Sequence, residues 1–394
     1  MIEDRMIAPI SIYLHFPFCE RKCRYCDFLS GPASKEKRDE YVTFLCREIR
    51  LRGALFRAPV DTIFLGGGTP SLMTPVQLEK VMETIRDTYN VEHDAEISME
   101  VNPGTADFAK LCAYQGAGIN RLSIGVQSFS DDELRLLGRI HTADQAREIF
   151  YAARKAGFTN INLDLMSALP GQDPESWSGT LREAVELGPE HISAYSLILE
   201  EGTPFAAMFD AGQLPALPSE GEDREMYHFT GEFLAENGYR RYEISNYARE
   251  GYACKHNCGY WTGHEYLGLG LGASSDFGGE RFRNPDSMEE YRKAVTEAAE
   301  AGTDNPLRCE RQKMTPDDRM EEFMFLGLRM TGGVSESEFT RRFGRTLEEV
   351  FGEVIRRQLQ QGVIRRCCVD EDHRIALTEY GLDVANHVMA EYLL

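Results

Sequence analysis

Positive charge is what this chain has too little of. Lysine and arginine number 43 against 64 aspartates and glutamates in 394 residues, a formal net charge of −21. Nucleic-acid binders lean on basic surface against phosphate, so the balance argues against a nucleic-acid partner. It also repels polyanionic ligands at long range, although a local basic pocket overrides the mean field. The simplest use of the acidity is solubility. Long apolar runs are missing too, and no uninterrupted stretch is long enough to span a bilayer. Glu3 and Asp4 stand where a secretory leader carries basic residues, and no apolar core follows them. These absences predict a cytoplasmic protein. In that compartment ten cysteines point to metal binding or plain thiols, not to a disulfide framework.

Cys19, Cys23 and Cys26 have the spacing C-x3-C-x2-C and follow a strand-like run at 11–16. Three thiolates can hold three irons of a [4Fe–4S] cluster, whereas a fully protein-ligated cluster takes four cysteines. The missing fourth ligand leaves one iron open to a small molecule, as the open position of a catalytic metal site does. Two other readings stand beside this one. Positions i, i+4 and i+7 also place three buried cysteines on one helix face. A zinc site with His15 as fourth ligand is the other, although zinc sites usually show paired C-x2-C spacings. Pro17 and the charges at Glu20, Arg21, Lys22, Arg24 and Asp27 weigh against a buried helix face.

Six strand-like runs, at 11–16, 61–66, 96–101, 120–126, 160–166 and 191–198, alternate with amphipathic stretches such as 38–51, 74–89 and 143–156. Thr74 followed by Pro75 reads as a helix N-cap with proline at the first helical position. Repeated βα units predict an α/β fold with a parallel sheet, here an incomplete (β/α)6 barrel. In barrels the chemistry sits at the C-terminal ends of the strands. The unusual residues collect there: the cysteines, the run Gly66 to Thr69, Glu100, Gly125 with Gln127, and Asp164. Three domains are expected. They are the barrel (1–200), an α+β extension (201–310) with a helix near 222–237 and a strand near 240–247, and a winged-helix-like unit (311–394). The last is expected to pack or to dock a partner, since the acidity disfavours DNA.

C-x3-C-x2-C with an aromatic, Tyr25, just before the last cysteine resembles the radical S-adenosylmethionine (SAM) superfamily. The resemblance implies a radical SAM barrel whose open iron chelates the amino and carboxylate groups of SAM. Reductive cleavage of SAM there yields a 5′-deoxyadenosyl radical, and the protein orients the cofactor. It further implies that Gly67, Gly68 and Thr69 meet the SAM amino group. Glu100 and Asp164 resemble ribose- and methionine-contacting positions of the anaerobic coproporphyrinogen oxidase group. Gln127 and Arg139 match the same group, with Arg139 suited to the SAM carboxylate. Tyr13 resembles the family tyrosine near the cluster.

A second motif lies at His256, Asn257, Tyr260 and Trp261. A histidine among aromatics suits an axial ligand to haem iron with rings that stack on a porphyrin. Read by composition alone, it is a packed loop histidine. A second metal site on Cys254, His256 and Cys258 is under-determined. The run H-N-x-x-Y-W, followed by Y-L-G-x-G-x-G-A, resembles the HemW-type haem chaperones, a branch of the HemN-like radical SAM proteins. The true oxidases carry an additional cysteine two positions after the third cluster cysteine, and here that position is Phe28. The resemblance therefore implies a chaperone holding a cluster, SAM and haem. It implies haem transfer to acceptor haem proteins, membrane respiratory enzymes among them, and a monomer–dimer equilibrium. The rivals are an oxygen-independent coproporphyrinogen III oxidase and a radical SAM enzyme that modifies haem.

Overall fold

The computed structural model describes residues 8–56 and 58–393. The six strand-like runs are β1 (Ile10–Phe16), β2 (Pro59–Gly67), β3 (Asn90–Val101), β4 (Arg121–Gln127), β5 (Ile161–Ser167) and β6 (His191–Ser196). They pair in parallel and in sequence order from β1 to β6. Crossover helices include Lys35–Leu55, Pro75–Thr88 and Ala143–Lys155. Thr74 caps the second of these in a capping box with Gln77, behind which Pro75 leads the first turn.

The arc of strands does not close. The segment expected as one strand near 240–247 is a hairpin, β7 (Arg240–Glu243) and β8 (Asn246–Ala248), lying antiparallel beside β6. It turns because the buried Glu243 carboxylate accepts from the Ser245 amide and the Asn246 side chain. At the other edge β9 (Tyr266–Leu269) runs parallel to β1. Then β10 (Ser274–Phe277), β11 (Glu280–Arg283) and β12 (Cys309–Lys313) extend the sheet to twelve strands. The residues after 200 thus feed both edges of one sheet.

A second core runs from Met320 to Tyr392. There β13 (Val334–Ser335), β14 (Ile364–Val369) and β15 (Asp372–Leu377) form a three-stranded sheet beside helices Glu336–Phe343 and Leu347–Gln361, a winged-helix-like unit. The unit ends in two short helices, Glu379–Asp383 and Ala385–Ala390. The fold is a partial (β/α)6 barrel with an α+β extension and this small unit. Among the described residues no helix is long and apolar enough to cross a membrane.

Side-chain parity divides the strands. Val101, Leu122, Ile124, Leu163 and Ile192 belong to the hydrophobic core. The other parity is polar: Ser98 sits beside Arg121, Glu100 beside Ser123, Ser123 beside Asn162, and Asp164 beside Ser193. The concave side of the arc is therefore a polar lumen.

Candidate functional site

A cavity of about 570 Å³ occupies that lumen and opens at the C-terminal ends of the strands. Tyr13, Cys19, Cys23, Tyr25, Cys26, Gly67, Gly68, Thr69, Glu100, Gln127, Arg139 and Asp164 all line it. The cysteines lie in an irregular loop and not on a helix face, which corrects that alternative. The Cys19 amide donates to the Gly31 carbonyl and the Gly31 amide to the Pro17 carbonyl, each at 3.0 Å. Arg24 is pinned through its amide to Leu137 and through its carbonyl to Phe205. The intervening charged side chains are exposed and the three thiols half-buried. The Thr69 hydroxyl donates to Cys19 Sγ at 3.5 Å and Arg139 Nη1 to Cys23 Sγ at 3.6 Å.

Among the described residues no three His, Cys, Asp or Glu side chains converge to hold a metal ion. His15, the fourth ligand of the zinc reading, is occupied elsewhere. Its ring nitrogens meet the Tyr13 hydroxyl at 3.0 Å and the Leu29 carbonyl at 2.9 Å. A single ion gathers its donors at one centre, whereas an iron–sulfur cluster takes each thiolate at a different iron. Three thiols along a cavity wall, two of them accepting hydrogen bonds and none joined by a fourth protein donor, fit the cluster.

The end of β2 has no room for side chains. A Cβ on Gly66 would stand 3.1 Å from Glu100 Oε1, and one on Gly67, at φ +111°, would stand 2.6 Å from the His15 ring. A Cβ on Gly68 would meet the Phe18 main chain at 2.7 Å. Bare main chain consequently faces the cavity, and the Gly67 amide donates to Glu100 Oε2 at 3.1 Å. Burial, and then the charge of Asp164, push the Glu100 carboxyl up to about 8. Burial also raises Asp164, which Asn162 Nδ2 at 2.7 Å and Ser123 Oγ at 3.1 Å partly hold down.

Arg139 Nη2 donates to Asn102 Oδ1 at 2.7 Å and to the Gly125 carbonyl at 2.6 Å, while its buried Nε has no partner. Gln127 sits at φ +69°, a conformation that L residues avoid, and accepts from the Tyr195 hydroxyl at 2.9 Å. A guanidinium with a spare donor, a bare glycine edge and two buried carboxyls suit an amino acid joined to a ribose. The residues fit SAM.

The motif around His256 is not a loop. It forms the short helix Lys255–Trp261, because Glu96 on β3 accepts from the Lys255 amide at 3.0 Å, the His256 amide at 3.2 Å and the Cys254 thiol at 3.3 Å. His256 is 1 % exposed. Its Nδ1 lies 2.8 Å from Thr62 Oγ1 and its Nε2 2.9 Å from the Tyr260 hydroxyl, and its ring stacks on Phe64 at 5.2 Å. Burial pushes it down to about 3, so the ring is neutral. His256 and Tyr260 face the cavity, but Trp261 does not. Trp261 lines a separate surface groove, with the Arg329 guanidinium 4.2 Å over its ring. The three residues are not one constellation, and axial ligation by His256 requires Nε2 to leave Tyr260.

The sequence reading missed Asn102, Arg121, Ser123, Asn162, Ser193 and Tyr195, all in the cavity wall. The signal for most of them was present. Ser123, Asn162 and Ser193 share strand parity with Glu100 and Asp164.

Residues 13–184 match the model of the radical SAM superfamily and residues 314–384 that of the HemN C-terminal domain. The heme chaperone HemW of Bacillus subtilis (strain 168) is 37% identical over 385 residues, covering 97% of this chain and 99% of the relative. That of Lactococcus lactis is 35% identical over 386 residues, covering 98% of each. The solved coproporphyrinogen III oxidase (HemN) from Escherichia coli superposes with a TM-score of 0.83 at 26% identity, covering 99% of this chain and 91% of that one. Similarity of that extent places the chain in the HemW group of the HemN-like radical SAM family.

Proposed function

We propose that this protein is a haem chaperone, which binds a [4Fe–4S] cluster, SAM and haem and delivers haem to acceptor haem proteins. The observation that carries this reading is the end-to-end similarity to proteins named heme chaperone HemW. A radical SAM domain implies the cluster and SAM, and haem enters through the names of the relatives. The bound cluster and SAM supply one-electron chemistry; the chain's residues hold, orient and screen them. Cys19, Cys23 and Cys26 would ligate the cluster, with Thr69 and Arg139 donating to two of the sulfurs. The same guanidinium, steadied by Asn102, would orient the SAM carboxylate. Glu100, Asp164 and Gln127 would position the rest of SAM against the glycine edge, with Tyr13 and Tyr25 walling the cluster.

His256, in this reading, shapes the lumen floor through Thr62 and Tyr260, and ligates haem only if Tyr260 releases it. Acceptors would include membrane respiratory enzymes. The cytoplasm is the proposed location, a monomer–dimer equilibrium the proposed state, and nucleic acid is not a partner.

The likeness to HemN keeps the oxidase as the second reading. Against it stands Phe28, 59 % exposed at the cavity mouth, where the oxidases carry their additional cysteine. The deciding experiment is anaerobic. Cluster-reconstituted protein receives SAM, a reductant and coproporphyrinogen III, beside a Cys23→Ala control. We expect no protoporphyrinogen above the control, together with stoichiometric haem uptake and its transfer to an apo haem protein. Product above the control would make the protein an oxidase.

A further inference from the structure

Beneath the proposed SAM cradle the cavity continues down the lumen to Arg121, one inward-facing position below Ser123 on β4. Arg121 is 2 % exposed. Nη1 donates to Ser98 Oγ at a long 3.4 Å, and Nε has no partner at all. Among the described residues no carboxylate lies within ion-pair distance of it. Glu96 and Asp164 are the acids that face it, and both are spent elsewhere. Glu96 caps the helix Lys255–Trp261. Asp164 accepts from Asn162 and Ser123. The nearby rings of His191 and His256 are held neutral by burial.

Glu96 and Asp164 favour its charge from a distance, but its Nε and remaining donors lack the hydrogen bonds that a buried guanidinium needs. Its planar fork of five N–H groups matches a carboxylate. Phe64, Ser193, Tyr195 and Asn257 line the cavity without charge, and Asp164 and Glu100 are the acids of this part of the wall. The helix N-terminus nearby is already filled by Glu96. One cation with no second positive group suits a single negative charge, which a carboxylate carries and a phosphate exceeds.

We propose that Arg121 receives a carboxylate of a ligand that shares the lumen with SAM. Two sources offer that group, a carboxylate arm of a tetrapyrrole or a free small carboxylic acid. The first rests on the haem-chaperone reading and the second does not.

The test uses the full chain with its cluster reconstituted and SAM saturating. Haem and haem dimethyl ester, which lacks the free acids, are titrated into wild type, Arg121→Gln and Arg121→Lys. Sodium propionate, with chloride as the ionic control, is followed by thermal shift on the same three proteins. If a tetrapyrrole arm is the ligand, wild type prefers haem over the ester about tenfold or more, the scale of a charge-assisted hydrogen bond. Arg121→Gln erases that preference, and Arg121→Lys, lacking the fork, restores only part of it. If a free acid is the ligand, haem and ester bind alike, and propionate stabilises wild type but not Arg121→Gln. A propionate effect without any haem binding keeps the subsite and removes the haem reading. Haem binding with neither preference nor propionate effect overturns the subsite and leaves the chaperone standing. The ester comparison within wild type stands even where the variants fold poorly.

Discussion

Arg139 touches a cysteine sulfur, an asparagine side chain and a main-chain carbonyl, three acceptors from three separate segments. Only a planar fork serves all three at once. Arg139→Lys should keep the charge, lose the geometry and weaken SAM binding about tenfold or more, the scale of one charge-assisted hydrogen bond; equilibrium dialysis on cluster-loaded protein reads it. Gly125 makes the complementary case. A Cβ there would stand 2.8 Å from Asn102 Oδ1 and 3.3 Å from Arg139 Nη2. Gly125→Ala should cost about 1–3 kcal/mol of stability through overpacking, measured by urea unfolding, and should weaken SAM binding as Arg139 shifts.

Glu100 supplies a pH test. Its carboxyl lies near 8 in the fold, against an ordinary 4.5, because burial and Asp164 disfavour the charge. The folded chain therefore holds a proton that the unfolded chain releases between those values. The penalty is absent below the lower value, grows as pH rises through the window, and is complete above the higher one. Glu100→Gln, which cannot ionise, should gain stability relative to wild type as pH rises from 5 to 8 and level off beyond. A stability difference flat across that range would show that Glu100 titrates normally.

The helix Lys255–Trp261 is seven residues long and begins with a buried cysteine in place of a capping side chain. Its cap is Glu96, 158 positions from Cys254 along the chain. Glu96→Ala should therefore cost about 1–3 kcal/mol, the range for buried donors left without a partner. Amide exchange should rise at Lys255 and His256 before it rises in the neighbouring strands. This helix also marks where the sequence ceased to be legible. The strands, the Thr74 cap and the rim residues from Cys19 to Asp164 follow from local periodicity and turn chemistry. A helix whose start signal lies on another strand leaves no local trace, so His256 reads as a loop histidine although the fold places it in a buried helix. The turn between β7 and β8 escaped for a related reason, since Glu243 directs it from within the strand. Arg121 escaped although parity with Ser123 placed it in the lumen, because one basic residue at a strand start carries no motif.

The C-terminal unit has its own core, and arginine ion pairs are among the contacts that tie it to the large sheet. Arg319 pairs with Asp276 on β10, Arg281 on β11 pairs with Glu322, and Arg329 pairs with Glu243 on β7. Arg342 reaches the Thr262 carbonyl. Arg319→Met should loosen this junction without melting either core. Limited proteolysis should then cut between β12 and the helix Pro316–Gly327 faster than in wild type, with unchanged cluster absorbance. Equal cutting rates would show that the Arg319 ion pair does not hold the junction.

The sheet also dictates an order of events. Ser11 on β1 lies beside Tyr266 on β9, so β1 receives its second neighbour only after Tyr266 has left the ribosome. Until then β1 presents a bare edge immediately ahead of the cysteine loop, and an edge of that kind recruits other strands. A nascent chain that stalls before Tyr266 offers that edge to the next unfinished copy. Loading of the proposed cluster on the cysteines is accordingly best timed after release, when the edge has closed.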